Sequence, residues 1–167
     1  DLEETLKRIL SEGKPLPKFI YNVPDYHNPS GITMSLSRRE EVVRVAEKYG
    51  IYFVEDSPYR KVRFEGEQYP IVKAFDRTES VFVLGTVSKL VAPGMRVGWV
   101  VSSKKMIALL AQLKSDLGSS PLAQRIILDF LTDSDKYAEH TQNVQKIYAE
   151  HRNVMVDALR KDIPEVQ

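Results

Sequence analysis

A layered α/β fold with a mainly parallel sheet is what this sequence predicts, and three observations lead there. Short β-favouring runs recur at FIYNV, IYFVED, SVFVLGTVS and RVGWVVS. Within them the apolar residues are consecutive rather than alternating, the pattern of strands covered on both faces. Between the first two runs lies a helical segment with Val42, Val43, Val45 and Ala46 inward, long enough for a right-handed crossover to a parallel neighbour.

The elements follow in order. Leu2, Leu6, Ile9 and Leu10 recur at helical spacing, and Gly13 can stop that helix. KPLPKF is a connector, and FIYNV is a strand ending at Pro24. DYHNPSG is turn chemistry, Asn-Pro followed by Ser-Gly. Ser35 or Ser37 can cap a helix to Tyr49, and Gly50 suits the residue after its end. IYFVED is apolar until its two carboxylates, and SVFVLGTVS is a third strand. Only VAPGM separates it from RVGWVVS, far short of the dozen or more residues a parallel crossover needs. If neighbours, those two strands are antiparallel. Helices are predicted over Lys104–Leu117, from Pro121 to Leu131, and from Ser134 or Asp135 to Lys161.

Composition bounds the function. The 167 residues suit one ordinary domain, and 43% hydrophobic with 28% charged is a soluble globular balance. With 24 basic and 23 acidic residues, the net charge of +1 gives no electrostatic footprint for nucleic acid or an anionic membrane. The absence of cysteine excludes disulfides, thiolate metal sites and a cysteine nucleophile, and no metal is expected. DLEETLKRIL is amphipathic and acidic, unlike a signal peptide, and no apolar run is long enough to span a bilayer. A cytoplasmic location is the default expectation.

In such a sheet, ligands bind beyond the carboxyl ends of the parallel strands. The tips NVPDYHNPSG, VEDSPY and GTVSK bring Asn28, Asp56, Tyr59, Thr86, Ser88 and Lys89 to that edge. Each residue has a plain alternative. Asp56 before Ser57-Pro58 can cap a helix, Asn28 can be an ordinary turn residue, Lys89 a solvated lysine, and Arg96 a surface arginine. Together they form a coherent set. A lysine can form a Schiff base, an acid can partner a pyridinium, a phenol and an amide can hold a ring hydroxyl, and an arginine with hydroxyls can hold phosphate. That set describes a site for pyridoxal 5′-phosphate.

Three motifs in order, YNVPDYHNPSG, VEDSPY and SKLVAPGMRVGW, resemble the fold-type I pyridoxal-phosphate enzymes, specifically the class I/II aminotransferases. The resemblance implies that Lys89 forms the Schiff base and then moves the proton. It implies that Asp56 partners the ring nitrogen, that Tyr59 and Asn28 hold the ring hydroxyl, and that Thr86, Ser88 and Arg96 hold the phosphate. The substrates implied are an amino acid and a 2-oxo acid, handled by a homodimer. Arg38-Arg39 after the NPSG turn is most similar to the aminoadipate, aromatic and branched-chain aminotransferases.

The resemblance also sets the organisation. Residues 1–134 would be the central part of the cofactor-binding large domain, and residues 135–167 the long helix leading toward a small domain. The architecture expected is a partial three-layer sheet, mostly parallel with one antiparallel strand and helices on both faces. It would hold about four strands with two unprotected edges. No arginine matches the one that binds the substrate α-carboxylate in the family, so the chain is expected to be a fragment, inactive alone. Two alternatives stand beside transamination: an aminotransferase-like effector-binding domain of a transcription regulator, and a C–S or C–C lyase of the same fold.

Overall fold

The computed structural model describes residues 1–115 and 118–165. In chain order it contains α1 (Leu2–Ser11), β1 (Phe19–Asn22), α2 (Leu36–Tyr49), β2 (Tyr52–Asp56), β3 (Val81–Thr86), β4 (Gly98–Val101), α3 (Lys104–Leu113), α4 (Pro121–Thr132) and α5 (Ser134–Asp162). Short 3₁₀ turns lie at Arg60–Val62, Val72–Phe75 and Pro93–Met95. Helix α3 ends at Leu113, earlier than its periodicity predicts; residues 116 and 117 lie outside the described residues.

The sheet runs β1-β2-β3-β4. The β1–β2 and β2–β3 pairs are parallel, and β4 is antiparallel to β3, as the short connection between them requires. The chain divides into two compact units. A sheet unit holds Asp1–Pro58, Tyr69–Thr86 and Gly98–Leu117; a helical unit holds Tyr59–Gln68, Val87–Val97 and Gly118–Gln167.

Local chemistry explains the ends of the elements in the sheet unit. Asp1 caps α1 by accepting from the backbone N–H groups of Glu3 and Glu4, and Glu4 returns the bond in a capping box. Helix α2 stops at Gly50, which takes the left-handed conformation (φ 63°) that glycine adopts without steric cost. Strand β3 is entered through Asp76, whose carboxylate accepts from the backbone N–H groups of Thr78, Ser80 and Val81 and from Lys73 Nζ at 2.9–3.2 Å.

Register then decides what each strand residue faces. Ile20 pairs with Phe53, and Phe53 with Val81. This row packs under Val42, Val43 and Ala46 of α2, while Leu6, Val45 and Ile51 form a second cluster beside it. Residues of the other parity point away from α2. Val81, Phe82 and Val83 of β3 are buried on both sides, but Phe19, Tyr21 and Tyr52 are 57%, 53% and 42% exposed. Where β3 meets β4, Gly85 stands opposite Trp99, and a Cβ there would fall within 2.3–2.5 Å of the indole. The absent side chain is what lets the ring lie over the strand.

Two buried charged residues hold the sheet unit together. Arg39 is wholly buried in α2. Its guanidinium donates to Asp25 Oδ1 at 2.6 Å and to the carbonyls of Pro24, Met34 and Pro70 at 3.0–3.2 Å. The side chain also lies 5.7 Å from the centroid of the Tyr69 ring. Glu55, next to Asp56 in β2, points into the core. It accepts from Ser57 Oγ and from the Lys73 backbone N–H, each at 3.2 Å. Burial pushes its pKa up despite those bonds and the attraction of Arg39.

Removing the Arg39 charge strands a buried carboxylate at Asp25. Arg39→Leu is expected to cost about 3–5 kcal/mol in urea unfolding, and Arg39→Lys recovers little because an ammonium lacks the planar fork. Glu55 sets a pH dependence. Its folded pKa lies above the unfolded one, so the folded state holds its proton longer. The contribution is most favourable below the unfolded pKa and is lost as pH rises through the folded one. Glu55→Gln removes that loss. Its stability relative to the unsubstituted chain is expected to climb as pH rises above the ordinary carboxylate range, read from melts at a series of pH values.

Candidate active site

In the sheet unit, strand parity gathers three polar residues on the face turned away from α2. Tyr21 is the register partner of Val54, and Asp56 that of Leu84. Alternation therefore places Tyr21, Asp56 and Thr86 on one face, the last two at the carboxyl ends of β2 and β3. Tyr21 Oη donates to Asp56 Oδ2 at 2.5 Å, in the short range of hydroxyl–carboxylate bonds. The helix-cap alternative for Asp56 is not what the chain does: the next helical residues begin at Arg60, with Tyr59 in the cap position.

Asn28 lies at the tip of the loop between β1 and α2, and is exposed. The loop folds on itself through bonds from His27 N–H to Ile32 O (2.9 Å), Gly31 N–H to His27 O (2.6 Å) and Met34 N–H to Pro24 O (2.7 Å). Its bends fall at Tyr26 (φ 53°) and Gly31 (φ 70°), and the Asn28–Pro29 peptide is cis. Arg39 holds the base of the loop at both ends through Pro24, Asp25 and Met34. A groove of ≈ 680 Å³ lies on the α2 side, lined by Leu2, Ile20, Val42 and Phe53 among others. Asn28, Asp56 and Thr86 do not line it.

The helical unit carries Tyr59, Ser88, Lys89 and Arg96. The sequence places Lys89 at the end of a strand, and here the structure corrects it. Strand β3 stops at Thr86, and Ser88, Lys89 and Leu90 form a turn closed by Val91 N–H to Val87 O at 2.8 Å. Lys89 is exposed, with Nζ 5.8 Å from the centroid of the Tyr59 ring. Arg96 follows the Pro93–Met95 turn in the left-handed conformation (φ 52°). Its Nη1 donates to Pro93 O at 3.3 Å, and Ser119 Oγ donates to its carbonyl at 2.8 Å.

Helix α5 holds the backbone of this turn. His140 Nε2 donates to Leu90 O at 2.8 Å, which requires the Nε2–H form, and Tyr148 Oη donates to Lys89 O at 3.3 Å. His140 also meets Phe130 edge-on, with centroids 5.2 Å apart. Val144 and Ile147 of the same helix line a cleft of ≈ 300 Å³ with Lys89, Leu90 and Val91. Sequence reasoning missed Tyr21, His140 and Tyr148. The available signals were parity for Tyr21 and, for the pair in α5, two polar-tipped aromatic residues on one helical stripe.

Leu90 is buried, so its carbonyl cannot turn to water for a replacement partner. His140→Phe keeps an aromatic ring but loses the donor, and is expected to cost about 1–3 kcal/mol in urea unfolding. Tyr148→Phe, at an exposed bond, should cost less than half of that.

Comparison with known proteins fits this arrangement. A family profile described as aminotransferase class I and II matches residues 1–167. The aromatic-amino-acid aminotransferase 1 of Thermococcus litoralis is 34% identical over 166 residues, covering 98% of this chain and 39% of that protein. An uncharacterised HTH-type transcriptional regulator of Bacillus subtilis, YdfD, is 36% identical over 160 residues, covering 94% of this chain and 33% of the regulator. Among solved structures, Pyrococcus horikoshii kynurenine aminotransferase, in complex with PMP, aligns with a TM-score of 0.90 at 35% identity, over 99% of this chain and 41% of that one. The chain thus spans well under half the length of the relatives it matches. Three ordered motifs, the strand arrangement that carries them and a family match along all 167 residues agree: the chain belongs to the class I and II aminotransferases.

Proposed function

We propose that the protein carrying this chain transfers an amino group between an amino acid and a 2-oxo acid, with pyridoxal 5′-phosphate as cofactor. The observation that carries the reading is the placement of Asp56 and Thr86 on one sheet face at the ends of parallel strands, with Lys89 three residues farther along the chain. The donor set fits the group. A carboxylate already oriented by a phenol suits a protonated ring nitrogen, and Asp56 keeps acceptor capacity beyond the Tyr21 bond. When bound, the cofactor supplies an electron sink for negative charge developing at the substrate α-carbon.

The roles of the chain's own residues are those that the family resemblance implies, and their chemistry suits them. Asp56 accepts from the ring nitrogen and holds the proton there, its own charge compensated by the pyridinium. Tyr59 and Asn28 donate to the ring oxygen. Thr86, Ser88 and the planar fork of Arg96 bind the phosphate. The Lys89 amine would hold the cofactor and would serve as the base and acid that moves the proton at the substrate α-carbon. A homodimer belongs to the proposal on family resemblance alone, as does the division into a large-domain part over residues 1–134 and a connecting helix over residues 135–167. A cytoplasmic location belongs to it as the default expectation from the sequence. The aromatic-amino-acid and kynurenine aminotransferases among the relatives make an aromatic amino acid the first donor to test.

The test is a cofactor absorbance band that depends on Lys89, together with keto-acid formation from an aromatic amino acid and 2-oxoglutarate without net ammonia. Lys89→Ala is expected to lose the covalent band and at least about 10³-fold of kcat. A band that persists unchanged in Lys89→Ala refutes the reading. Ammonia with pyruvate as products favours a lyase, and a Lys89-dependent band without turnover favours an effector-binding domain.

A further inference from the structure

Tyr21 opens the first of the three motifs, yet the roles assigned to those motifs leave it with none. It lies in the middle of β1, on the outward face, where an aromatic ring could simply face solvent. Its hydroxyl reaches instead across to the next strand and donates to Asp56 Oδ2 at 2.5 Å. The reach is set by the sheet. Tyr21 is the register partner of Val54, so Asp56 is its diagonal neighbour, two residues on and of the same parity, a distance a long side chain spans. The bond thus ties a side chain in the middle of one strand to the carboxylate at the tip of the next. A carboxylate that accepts a short hydroxyl hydrogen bond is held in one orientation.

We propose that Tyr21 is a positioning residue for Asp56, fixing the carboxylate so that it can hold the proton on a nitrogen-heterocycle ring. This rests on the cofactor reading above. Tyr21 acts only through Asp56, so its effect should vanish when Asp56 can no longer carry charge.

The experiment is a double-substitution cycle in the protein that carries this sequence: unsubstituted, Tyr21→Phe, Asp56→Asn, and both. Each form is titrated with pyridoxal phosphate labelled with ¹⁵N in the ring, and the nitrogen chemical shift reports how firmly its proton is held. Tyr21→Phe is expected to move the shift toward that of unprotonated pyridine, weaken cofactor binding on the order of 10-fold, and lower kcat with KM within about 2-fold. In the Asp56→Asn background the same substitution should add nothing. An unchanged nitrogen shift in Tyr21→Phe, or an equal effect in both backgrounds, overturns the proposal and leaves the cofactor reading standing. So does a Tyr21→Phe variant whose only change is a lower melting temperature. No cofactor signal from the unsubstituted protein overturns the cofactor reading, and this proposal with it.

Discussion

The sheet unit is organised around one desolvated guanidinium. Taking the Arg39 charge out of water is costly, and the cost is bearable only if its donors find acceptors. The acceptors come from three places: Pro24 and Asp25 after β1, Met34 before α2, and Pro70 before the turn into β3. Each of these segments must therefore arrive at the same point. The loop that lifts Asn28 is consequently fixed at its base even though its tip is exposed. A neutral core residue at position 39 could fill the volume, but it would impose no such geometry on the surrounding backbone.

The Glu55–Asp56 pair shows the same economy on a smaller scale. Two adjacent carboxylates in a strand must point to opposite faces. One enters the core, where Ser57 and a backbone N–H receive it, and the other is delivered to the open face beside Tyr21. The strand thus divides a doubly acidic tip into a structural carboxylate and one available for chemistry. Neither residue type nor hydropathy distinguishes the two; only the register with β1 and β3 does.

Much of this was legible in the sequence. The four strands, the α2 crossover, the Gly50 stop and the reversal into β4 follow from periodicity, turn residues and connection length, all local properties. The placement of Asp56 and Thr86 at the ends of parallel strands, on one face, follows from alternation and the general geometry of parallel sheets. What stayed hidden depends on contacts distant along the chain. Arg39 reads only as half of the Arg38-Arg39 pair after the turn until Asp25 and Pro70 are brought to it. Lys89 reads as a strand end because SVFVLGTVS is β-favouring, yet pairing with β2 stops at Leu84 and with β4 at Thr86, and the next residues turn. Helix α5 reads as a long helix leading toward a small domain, and two of its polar-tipped residues prove to hold the Lys89–Leu90 backbone.

Arg96 shows how such a chain can be composed. At φ 52° its backbone sits where a Cβ crowds the following carbonyl, an arrangement disfavoured by about 1 kcal/mol for a residue other than glycine. Gly94 lies only two positions earlier, so the neighbourhood already uses the residue that would relieve the crowding. Selection for a durable fold alone would drive position 96 toward glycine. A long cation at this position therefore carries a local cost in stability that glycine would not. Tyr26 and Glu79 share this backbone, so among the described residues the same cost is met at three turns that bear side chains, and each is a place where a glycine substitution would stiffen nothing yet relax the chain.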